Sequence, residues 1–310
     1  MANPKSTANQ RSIDENPFEG FQIDDSSILN SIEGRHPCPQ CGKSRKLFCY
    51  TCFVLISPLE GKLPHVKLPL KIDIIKHKQE IDGKSTASHA ALLASDDVKV
   101  YTYPDIPDYS KEQVVLIFPG QNAVSVSQLI NLQTFEDIHK RPPEELPPGY
   151  NPRTLMKNIP KVLQEINFSF KKHKIPITKA IFIDSTWHQC KSIYKDVKIR
   201  AIPCVVIQNR ISQFWRHQKG SPRWYLSTIE AIHQFLLEIH MHCWGLNRNY
   251  HGIKNCFTEN SLDMESLFSD DINAYNGQYD NLLYFFKHMY EVIHSYYDHE
   301  ELYAYKRRLM

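Results

Sequence analysis

The sequence predicts an α/β protein with a mostly parallel sheet and helices on both faces. Three short apolar runs, at 114–118, 180–183 and 204–207, are continuous instead of alternating. Such runs are typical of strands that helices cover on both sides. Apolar residues also recur at helical spacing over 155–166, between two of these runs. Strands that alternate with helices favour parallel pairing through right-handed crossovers.

Flanking segments extend this pattern to the rest of the chain. The isoleucines at 72–75 predict another strand, and the proline-dense stretch 141–152 predicts an irregular connector. Ser227 and Glu230 have the spacing of a capping box and predict the start of a helix. A last helix is expected over 281–299, where apolar residues again recur at helical spacing.

Composition shifts divide the chain into four regions. Residues 1–30 are polar and are expected to form a disordered leader. A small cysteine-rich zinc knuckle is expected at 31–60, and an α/β catalytic domain at 61–257. The remainder, 258–310, is expected to form an acidic loop and a C-terminal helix that packs on the domain.

The net charge of +3 hides an uneven distribution along the 310 residues. Residues before Glu259 carry 33 Lys and Arg against 24 acidic residues, whereas the rest carries four against ten. A basic body favours a polyanionic partner, although ordinary solvated charge gives the same count. No signal peptide and no membrane-spanning apolar stretch stand out, so an intracellular protein of the nucleus or cytoplasm, with reduced cysteines and no membrane contact, is expected.

Four cysteines predict a structural zinc site. Cys38, Cys41, Cys49 and Cys52 form two closely spaced pairs, C-x2-C-x7-C-x2-C. Two such turns can close a tetrahedral shell of thiolates around zinc, which leaves no open position for catalysis. A pair of redox dithiols is the alternative interpretation, but two adjacent pairs in a short span favour the metal.

Polar residues at the end of the second apolar run form the candidate catalytic centre. Asp184, Ser185 and Thr186 follow the run directly, and Trp187 opens the next helix. Chemistry in parallel α/β sheets collects at the carboxyl ends of strands. The same residue types also cap helices, so a plain N-cap is the alternative. The indole beside them favours a pocket that can receive a base.

A basic and aromatic segment, 210–225, predicts contact with RNA. It contains no acidic residue, and rings alternate with the cations Arg210, Arg216, Lys219 and Arg223. Guanidinium groups suit phosphates and rings suit unstacked bases, although a surface loop with packing aromatics has the same composition. The turn Phe118-Pro119-Gly120 ends the first run without a dinucleotide or Walker pattern.

Taken together, the ordered motifs resemble the DTW-domain family of tRNA-uridine aminocarboxypropyltransferases, and in particular its eukaryotic branch. The resemblance covers roughly residues 35–245. It rests on the paired cysteines, Lys84-Ser85-Thr86, Phe118-Pro119, Asp184-Ser185-Thr186-Trp187 and residues 226–231. The family's Asp-Thr-Trp appears here as Asp-x-Thr-Trp, a form that the family includes.

The resemblance implies a reaction and a set of roles. The enzyme would transfer the 3-amino-3-carboxypropyl group of S-adenosylmethionine to N3 of a uridine in tRNA, on a SPOUT-like, knotted fold. Asp184 would accept the N3 proton or orient the base, and Thr186 and Trp187 would shape the pocket. The cofactor would lie against Phe118, Pro119, Leu226, Ser227, Thr228 and Glu230. An RNA methyltransferase using the same cofactor, or a non-catalytic zinc-containing RNA-binding module, are the alternatives.

Overall fold

The central element is a six-stranded, all-parallel sheet. The computed structural model describes residues 12–120, 122–132, 174–208, 210–218, 220–257, 264–299 and 301–307. The sheet comprises β5 (Lys71–Lys76), β6 (Val98–Thr102), β7 (Val114–Ile117), β8 (Val124–Ser125), β9 (Lys179–Asp184) and β10 (Cys204–Val206). Its order is β6-β5-β9-β7-β10-β8, and every pairing is parallel.

The four strands predicted from the sequence are confirmed as β5, β7, β9 and β10. Successive side chains of β9 point to opposite faces, and both faces are buried. Ala180 and Phe182 join the larger apolar core, whereas Ile181 joins the smaller one on the other face. Burial on both faces is why these strands are apolar without alternation.

Helices cover both faces, as the sequence predicts. They are α1 (Ser27–Asn30), α2 (Ala87–Leu93), α3 (Val126–Asn131), α4 (Cys190–Tyr194), α5 (Val197–Arg200), α6 (Thr228–Trp244), α7 (Met264–Leu267) and α8 (Tyr284–His294). Residues of α2, α3, α6 and α8 pack in the larger core. Residues of α4 and α5 pack in the smaller one.

The long helix α6 begins at the capping box that the sequence predicts. The Ser227 amide donates to Glu230 Oε2 at 2.9 Å. Ile229, Ile232, Phe235 and other apolar residues of α6 are fully buried against the sheet. The cap therefore fixes where α6 starts, next to the carboxyl ends of the strands.

The cysteine-rich region forms two small hairpins. β1 (His36–Pro37) pairs with β2 (Ser44–Arg45), and β3 (Phe48–Cys49) pairs with β4 (Val54–Leu55), both antiparallel. A 3-10 turn at Ser57–Leu59 follows. A second 3-10 turn, Asp82–Lys84, lies between β5 and α2.

The N-terminal segment differs from the expected disordered leader. Residues 12–30 pack on the body of the protein: Asp14 bonds Arg223 through both carboxylate oxygens, at 2.7 and 2.8 Å. Phe18 packs edge-on against Phe286 and Tyr290. The polar composition of this segment wrongly predicted disorder, because its few apolar and acidic residues have partners more than 190 residues away in the chain.

The C-terminal region partly differs from expectation too. The last helix, α8, ends at His294 instead of continuing to 299, and a 3-10 turn, Asp280–Leu283, precedes it. Part of the expected acidic loop is the short helix α7, whose Leu267 is fully buried. Another 3-10 turn occupies Gly252–Asn255.

Several expectations fall outside the described residues. They include the helix at 155–166 and the connector at 141–152, which lie in the gap between α3 and β9. The knot that the resemblance implies therefore stays a prediction. Within the described ranges, no helix has both the length and the apolar character that crossing a membrane requires.

Candidate active site

A pocket of about 720 Å³ opens at the carboxyl ends of β7, β9 and β10. Two further segments complete its wall: residues 80–86 after β5, and residues 214–228 before α6. The strand-end rule for parallel sheets places a ligand here. The predicted residues Phe118, Pro119, Asp184, Thr186, Trp187, Arg216, Leu226, Ser227 and Thr228 all line it.

Asp184 is the most constrained residue of the pocket wall. It is 5% exposed, and each carboxylate oxygen accepts a hydroxyl. Ser85 Oγ donates to Oδ2 at 2.7 Å, and Thr228 Oγ1 donates to Oδ1 at 2.6 Å. Burial raises the pKa of Asp184 above its ordinary value, although the two hydroxyl bonds oppose the shift. The carboxylate thus ties β9 to the segment before α2 and to the start of α6.

A second bond joins the same segments. Thr86 Oγ1 accepts the backbone N–H of Ile229 in the first turn of α6, at 3.1 Å. Ser85 Oγ also accepts the N–H of Ala87, at 3.0 Å. Ser85 and Thr86 of the Lys84-Ser85-Thr86 motif therefore fix three elements around the pocket. These bonds also occupy donors at the α6 N-terminus that would otherwise face a ligand.

Thr186 caps the turn that precedes α4, the part closest to the helix cap that the sequence allowed as an alternative, whereas α4 itself begins at Cys190. Its Oγ1 accepts the Gln189 N–H at 3.3 Å, and its own N–H donates to Gln189 Oε1 at 3.0 Å. Asp184 makes no such cap, since its oxygens accept from distant hydroxyls. The two interpretations of the motif therefore apply to different residues: Thr186 caps the turn, and Asp184 forms the pocket.

Aromatic rings form one side of the pocket. The Trp187 ring lies 4.6 Å from that of Tyr225 and 6.3 Å from that of Phe118, between centroids. Phe118 in turn stacks on Tyr194 at 4.4 Å. Rings held this way form a flat apolar surface on which another ring can stack.

Gly120 follows this wall and is required by packing. A Cβ at Gly120 would lie 2.7 Å from Cys204 Sγ, which no real contact allows. The missing side chain of Gly120 therefore makes room for the neighbouring strand β10.

Glu230 differs from its predicted role in cofactor binding. Its side chain is fully buried behind the pocket and accepts from Ser227, Ser212 Oγ and the Gln213 N–H. The capping box consumes its carboxylate, so it does not line the pocket. Its neighbours Leu226, Ser227 and Thr228 do.

Two of the four predicted RNA-binding cations are buried instead. Arg223 is 1% exposed and bonds Asp14, and Arg210 is 2% exposed and donates to His233 Nδ1 at 3.0 Å. Neither guanidinium can contact a phosphate in this arrangement. The segment 210–225 needs no acidic residue of its own, because the partners of Arg210 and Arg223 come from elsewhere in the chain. Arg216 does reach the pocket rim, and Lys219 lies outside the described residues.

One charged residue of the pocket escaped the sequence interpretation. Glu80 lines the pocket after β5, together with Lys84 of the Lys84-Ser85-Thr86 motif. Among the described lining residues, only Glu80 and Asp184 carry carboxyl groups. Burial, and then the neighbouring charge of Asp184, raise the pKa of Glu80. No motif marks Glu80, and only the sheet brings residues 80–84 beside Asp184.

The four predicted cysteine ligands meet in space. Their sulfurs lie within 4.8 Å of one another, and Cys41 Sγ and Cys49 Sγ are 3.7 Å apart. Sulfurs bound to one zinc ion at ~2.3 Å would be about 3.8 Å apart. The N–H groups of Gln40 and Cys41 both point at Cys38 Sγ, which suits a thiolate. The residues fit a closed tetrahedral site.

The knuckle contacts the pocket wall. Thr51 Oγ1 donates to Asp82 Oδ2 at 3.0 Å, just before Ser85. Arg45 Nη2 donates to the same Thr51 hydroxyl at 3.4 Å. Its Nε also donates to Cys49 Sγ at 3.4 Å, and its guanidinium lies 4.0 Å from the centroid of the Tyr50 ring. Arg45 is therefore a structural residue of the knuckle.

Fold and site together define a parallel α/β protein with a strand-end pocket and an appended cysteine knuckle. The DTW domain family model matches residues 46–294, and the chain belongs to this family. It is 39% identical to tRNA-uridine aminocarboxypropyltransferase 1 of Xenopus laevis, covering 94% of this chain and 92% of that protein.

Mammalian relatives of the same name are similarly close. Identity is 38% to the Mus musculus protein and 38% to the Homo sapiens protein, each covering 90% of this chain and 84% of the relative. No solved structure matches.

Proposed function

We propose that this protein transfers the 3-amino-3-carboxypropyl group of S-adenosylmethionine to N3 of a uridine in tRNA. The observation that carries the proposal is the clamped Asp184 in the wall of a strand-end pocket, in a chain of the DTW family. Relatives at 38–39% identity bear the name tRNA-uridine aminocarboxypropyltransferase 1. Such an enzyme works where tRNA is, in the nucleus or the cytoplasm.

The pocket suits this co-substrate in size and chemistry. Its volume of about 720 Å³ is that of a small-molecule site. The wall of Phe118, Trp187 and Tyr225 offers a face for a purine. Lys84 and Arg216 line the pocket and suit a carboxylate. The carboxyl groups of Glu80 and Asp184 suit the positive charge of a sulfonium.

The reaction exchanges one bond for another. A bond forms between uridine N3 and Cγ of the methionyl group, and the Cγ–S bond breaks. The electron pair of the Cγ–S bond leaves with sulfur, giving 5′-methylthioadenosine, and the N3 proton goes to a base. Because three carbons flank the sulfonium, positioning decides which is attacked, and orientation can contribute ~7–11 kcal/mol.

The two pocket carboxyls divide the work. Asp184 holds the Ser85 and Thr228 hydroxyls, so it positions the wall against which the reactants lie. Glu80 is half-buried in the same pocket, and its raised pKa makes it a better proton acceptor than an ordinary glutamate. We assign Glu80 as the acceptor of the N3 proton.

The function is tested by incubating the protein with tRNA and S-adenosylmethionine and analysing nucleosides by mass spectrometry. We expect aminocarboxypropyl-uridine and stoichiometric methylthioadenosine. Adenosylhomocysteine with a methylated nucleoside would instead identify a methyltransferase. No modified nucleoside, with RNA binding that survives Asp184→Ala, would identify a non-catalytic RNA-binding module.

The role of Glu80 is tested by the pH profile of Glu80→Gln. Activity of the unaltered protein should fall as pH drops through the raised pKa of Glu80, because the base becomes protonated. Glu80→Gln should lower kcat by ~10²–10⁴-fold and remove that acidic limb. Glu60→Gln, an exposed glutamate remote from the pocket lining, is the control. An unchanged acidic limb in Glu80→Gln would assign the proton to another group.

We further propose that Cys38, Cys41, Cys49 and Cys52 hold a structural zinc ion. Four thiolates close the coordination shell, so zinc would stabilise the knuckle and take no part in transfer. Metal analysis should find one equivalent of zinc, and Cys38→Ser should lose it. Retention of zinc by Cys38→Ser would refute this ligand set.

A further inference from the structure

The segment 301–307 lies against the basic loop at the pocket rim. Tyr305 is 9% exposed, and its hydroxyl donates to the Gln213 carbonyl at 3.1 Å. Arg307 Nη1 donates to the Pro222 carbonyl at 3.3 Å, and Ala304 is buried. These contacts fix the segment beside the 214–228 wall of the pocket.

The same segment exposes an aromatic ring between the anchors. Tyr303 is 73% exposed. His217 Nδ1 donates to the Tyr303 carbonyl oxygen at 3.3 Å, and the two rings lie 6.3 Å apart. Lys306 Nζ lies 5.4 Å from the ring centroid. Burial of so exposed a ring contributes little to stability. The backbone of Tyr303 is nevertheless held in place by the bond from His217 and by the anchors at Tyr305 and Arg307.

The exposed ring lies beside a residue of the pocket lining. His217 belongs both to the Tyr303 contact and to the pocket lining, and Arg216 lines the pocket next to it. Arg216 Nη2 also donates to the Gly83 carbonyl at 3.4 Å, and this bond joins the 214–228 segment to the 80–86 segment. Arg216, His217, Tyr303 and Lys306, the C-terminal rim, thus form a continuous path from solvent into the pocket.

We propose that the C-terminal rim binds the single-stranded RNA that flanks the target uridine, with a base stacked on Tyr303 and phosphates on Lys306 and Arg216. This inference rests on the proposed function, since the strand must enter where the uridine does. Exposed rings next to cations are how proteins hold unpaired nucleotides, because every base has a face to stack and every phosphate a charge.

The charges on the rim favour RNA over an acidic protein segment. Arg210 and Arg223 are occupied internally, so Arg216 and Lys306 provide the outward positive charge among the described residues of these segments. Glu301 is the exposed acidic residue of the 301–307 segment. A flat ring at the centre of such a cationic path matches a base better than an acidic side chain, which has no face to stack.

The test is binding of a short fluorescein-labelled RNA strand with one central uridine, measured by anisotropy at several salt concentrations. Tyr303→Ala should weaken binding about 10-fold, because a stacked base is lost, and Tyr303→Phe should restore it. Lys306→Ala should reduce the slope of log K against log salt by about 0.7, the loss of one phosphate contact. Tyr296→Ala, which removes a ring that is 78% exposed and does not line the pocket, should bind as the unaltered protein does.

The outcomes separate this inference from the proposed function. RNA affinity that is unchanged in Tyr303→Ala and Lys306→Ala would overturn the inference, even if aminocarboxypropyl-uridine forms. RNA affinity that depends on Tyr303, in a protein that modifies no uridine, would support the rim and refute the transferase. Equal losses in Tyr303→Ala and Tyr296→Ala would also overturn it, since a non-specific effect of removing tyrosines would explain both.

Discussion

Two buried carboxylates contact the same helix, α6, in opposite electrostatic settings. Asp184 receives only hydroxyls, from Ser85 and from Thr228 at the start of α6, and borders the pocket. Asp280 is fully buried away from that pocket and receives the imidazole of His233 in the second turn of α6, at 2.8 Å. One carboxylate is held beside a space that a ligand can fill, and the other is enclosed by donors.

The donors decide the pKa of each group. Burial raises the pKa of Asp184, and neutral hydroxyls do not reverse the shift. Burial also acts to raise the pKa of Asp280, but bonds from His233, the Gln22 N–H and Tyr275 outweigh it, and the pKa is lowered. A buried carboxylate with strong donors stabilises the fold. A buried carboxylate that accepts only from hydroxyls keeps an uncompensated desolvation cost, which a function can explain.

The two carboxylates differ because His233, as a neutral ring, links Asp280 to Arg210 by hydrogen bonds. Burial lowers the pKa of His233. Its Nδ1 accepts from Arg210, and its Nε2–H donates to Asp280. The charges of Arg210 and Asp280 are therefore joined through one ring in the core. No such cation bonds Asp184 among the described residues.

The largest effect is expected on activity from Asp184→Asn. Asparagine keeps the shape but offers one acceptor oxygen instead of two, so the hydroxyl of Ser85 or Thr228 must reverse its hydrogen bond, and transfer should fall ~10²-fold or more because the pocket wall positions the reactants less accurately. Nucleoside mass spectrometry under initial-rate conditions measures the loss. Asp280→Asn is the matched control, and its folded fraction should keep kcat. Full transfer activity in Asp184→Asn would refute the claim that the Asp184 carboxylate serves the reaction.

The next effect is expected on stability from Asp280→Ala. The substitution leaves the buried His233 N–H without its acceptor and the buried Arg210 without the negative charge to which His233 links it, and breaking such a buried pair costs about 3–5 kcal/mol. Urea unfolding should show the lower free energy of unfolding. Asp184→Asn should show none of this loss, because an uncharged side chain suits its site. A loss below about 1 kcal/mol in Asp280→Ala would show that the network is not a source of stability.

The smallest effect is a difference in the pH dependence of stability. Asp280 has a lowered pKa, so its contribution is present above the ordinary value of 3.8 and is lost as pH falls through the folded-state value below it. Asp184 has a raised pKa, so the folded state loses stability as pH rises from 3.8 through the folded-state value.

Unfolding curves of both variants across pH separate these contributions. Relative to the unaltered protein, Asp184→Asn should gain stability as pH rises above about 3.8. The deficit of Asp280→Asn should shrink as pH falls below that value. Parallel curves for all three proteins would show that neither carboxylate has a shifted pKa.

Local patterns predicted much of the fold because they reflect burial directly. Strands β5, β7, β9 and β10 are apolar runs since both of their faces are covered. Strands β6 and β8 were missed: β8 has two residues, and β6 has exposed and half-buried side chains that carry a weaker signal. The capping box at Ser227 was found because its two residues lie within one turn.

The sequence by itself determined where the pocket and the cysteine cluster lie, through Asp184 at a strand end, the start of α6 and the paired cysteines. Only the tertiary structure decided which charges are used. Arg223 and Arg210 resemble phosphate ligands in the sequence, but Asp14 and His233 occupy them. Glu80 and Tyr303 carry no motif, yet they lie in the pocket and at its rim. The reason is physical: a strand or a cap is set by near neighbours, whereas the role of a charge depends on partners that the fold brings from far along the chain.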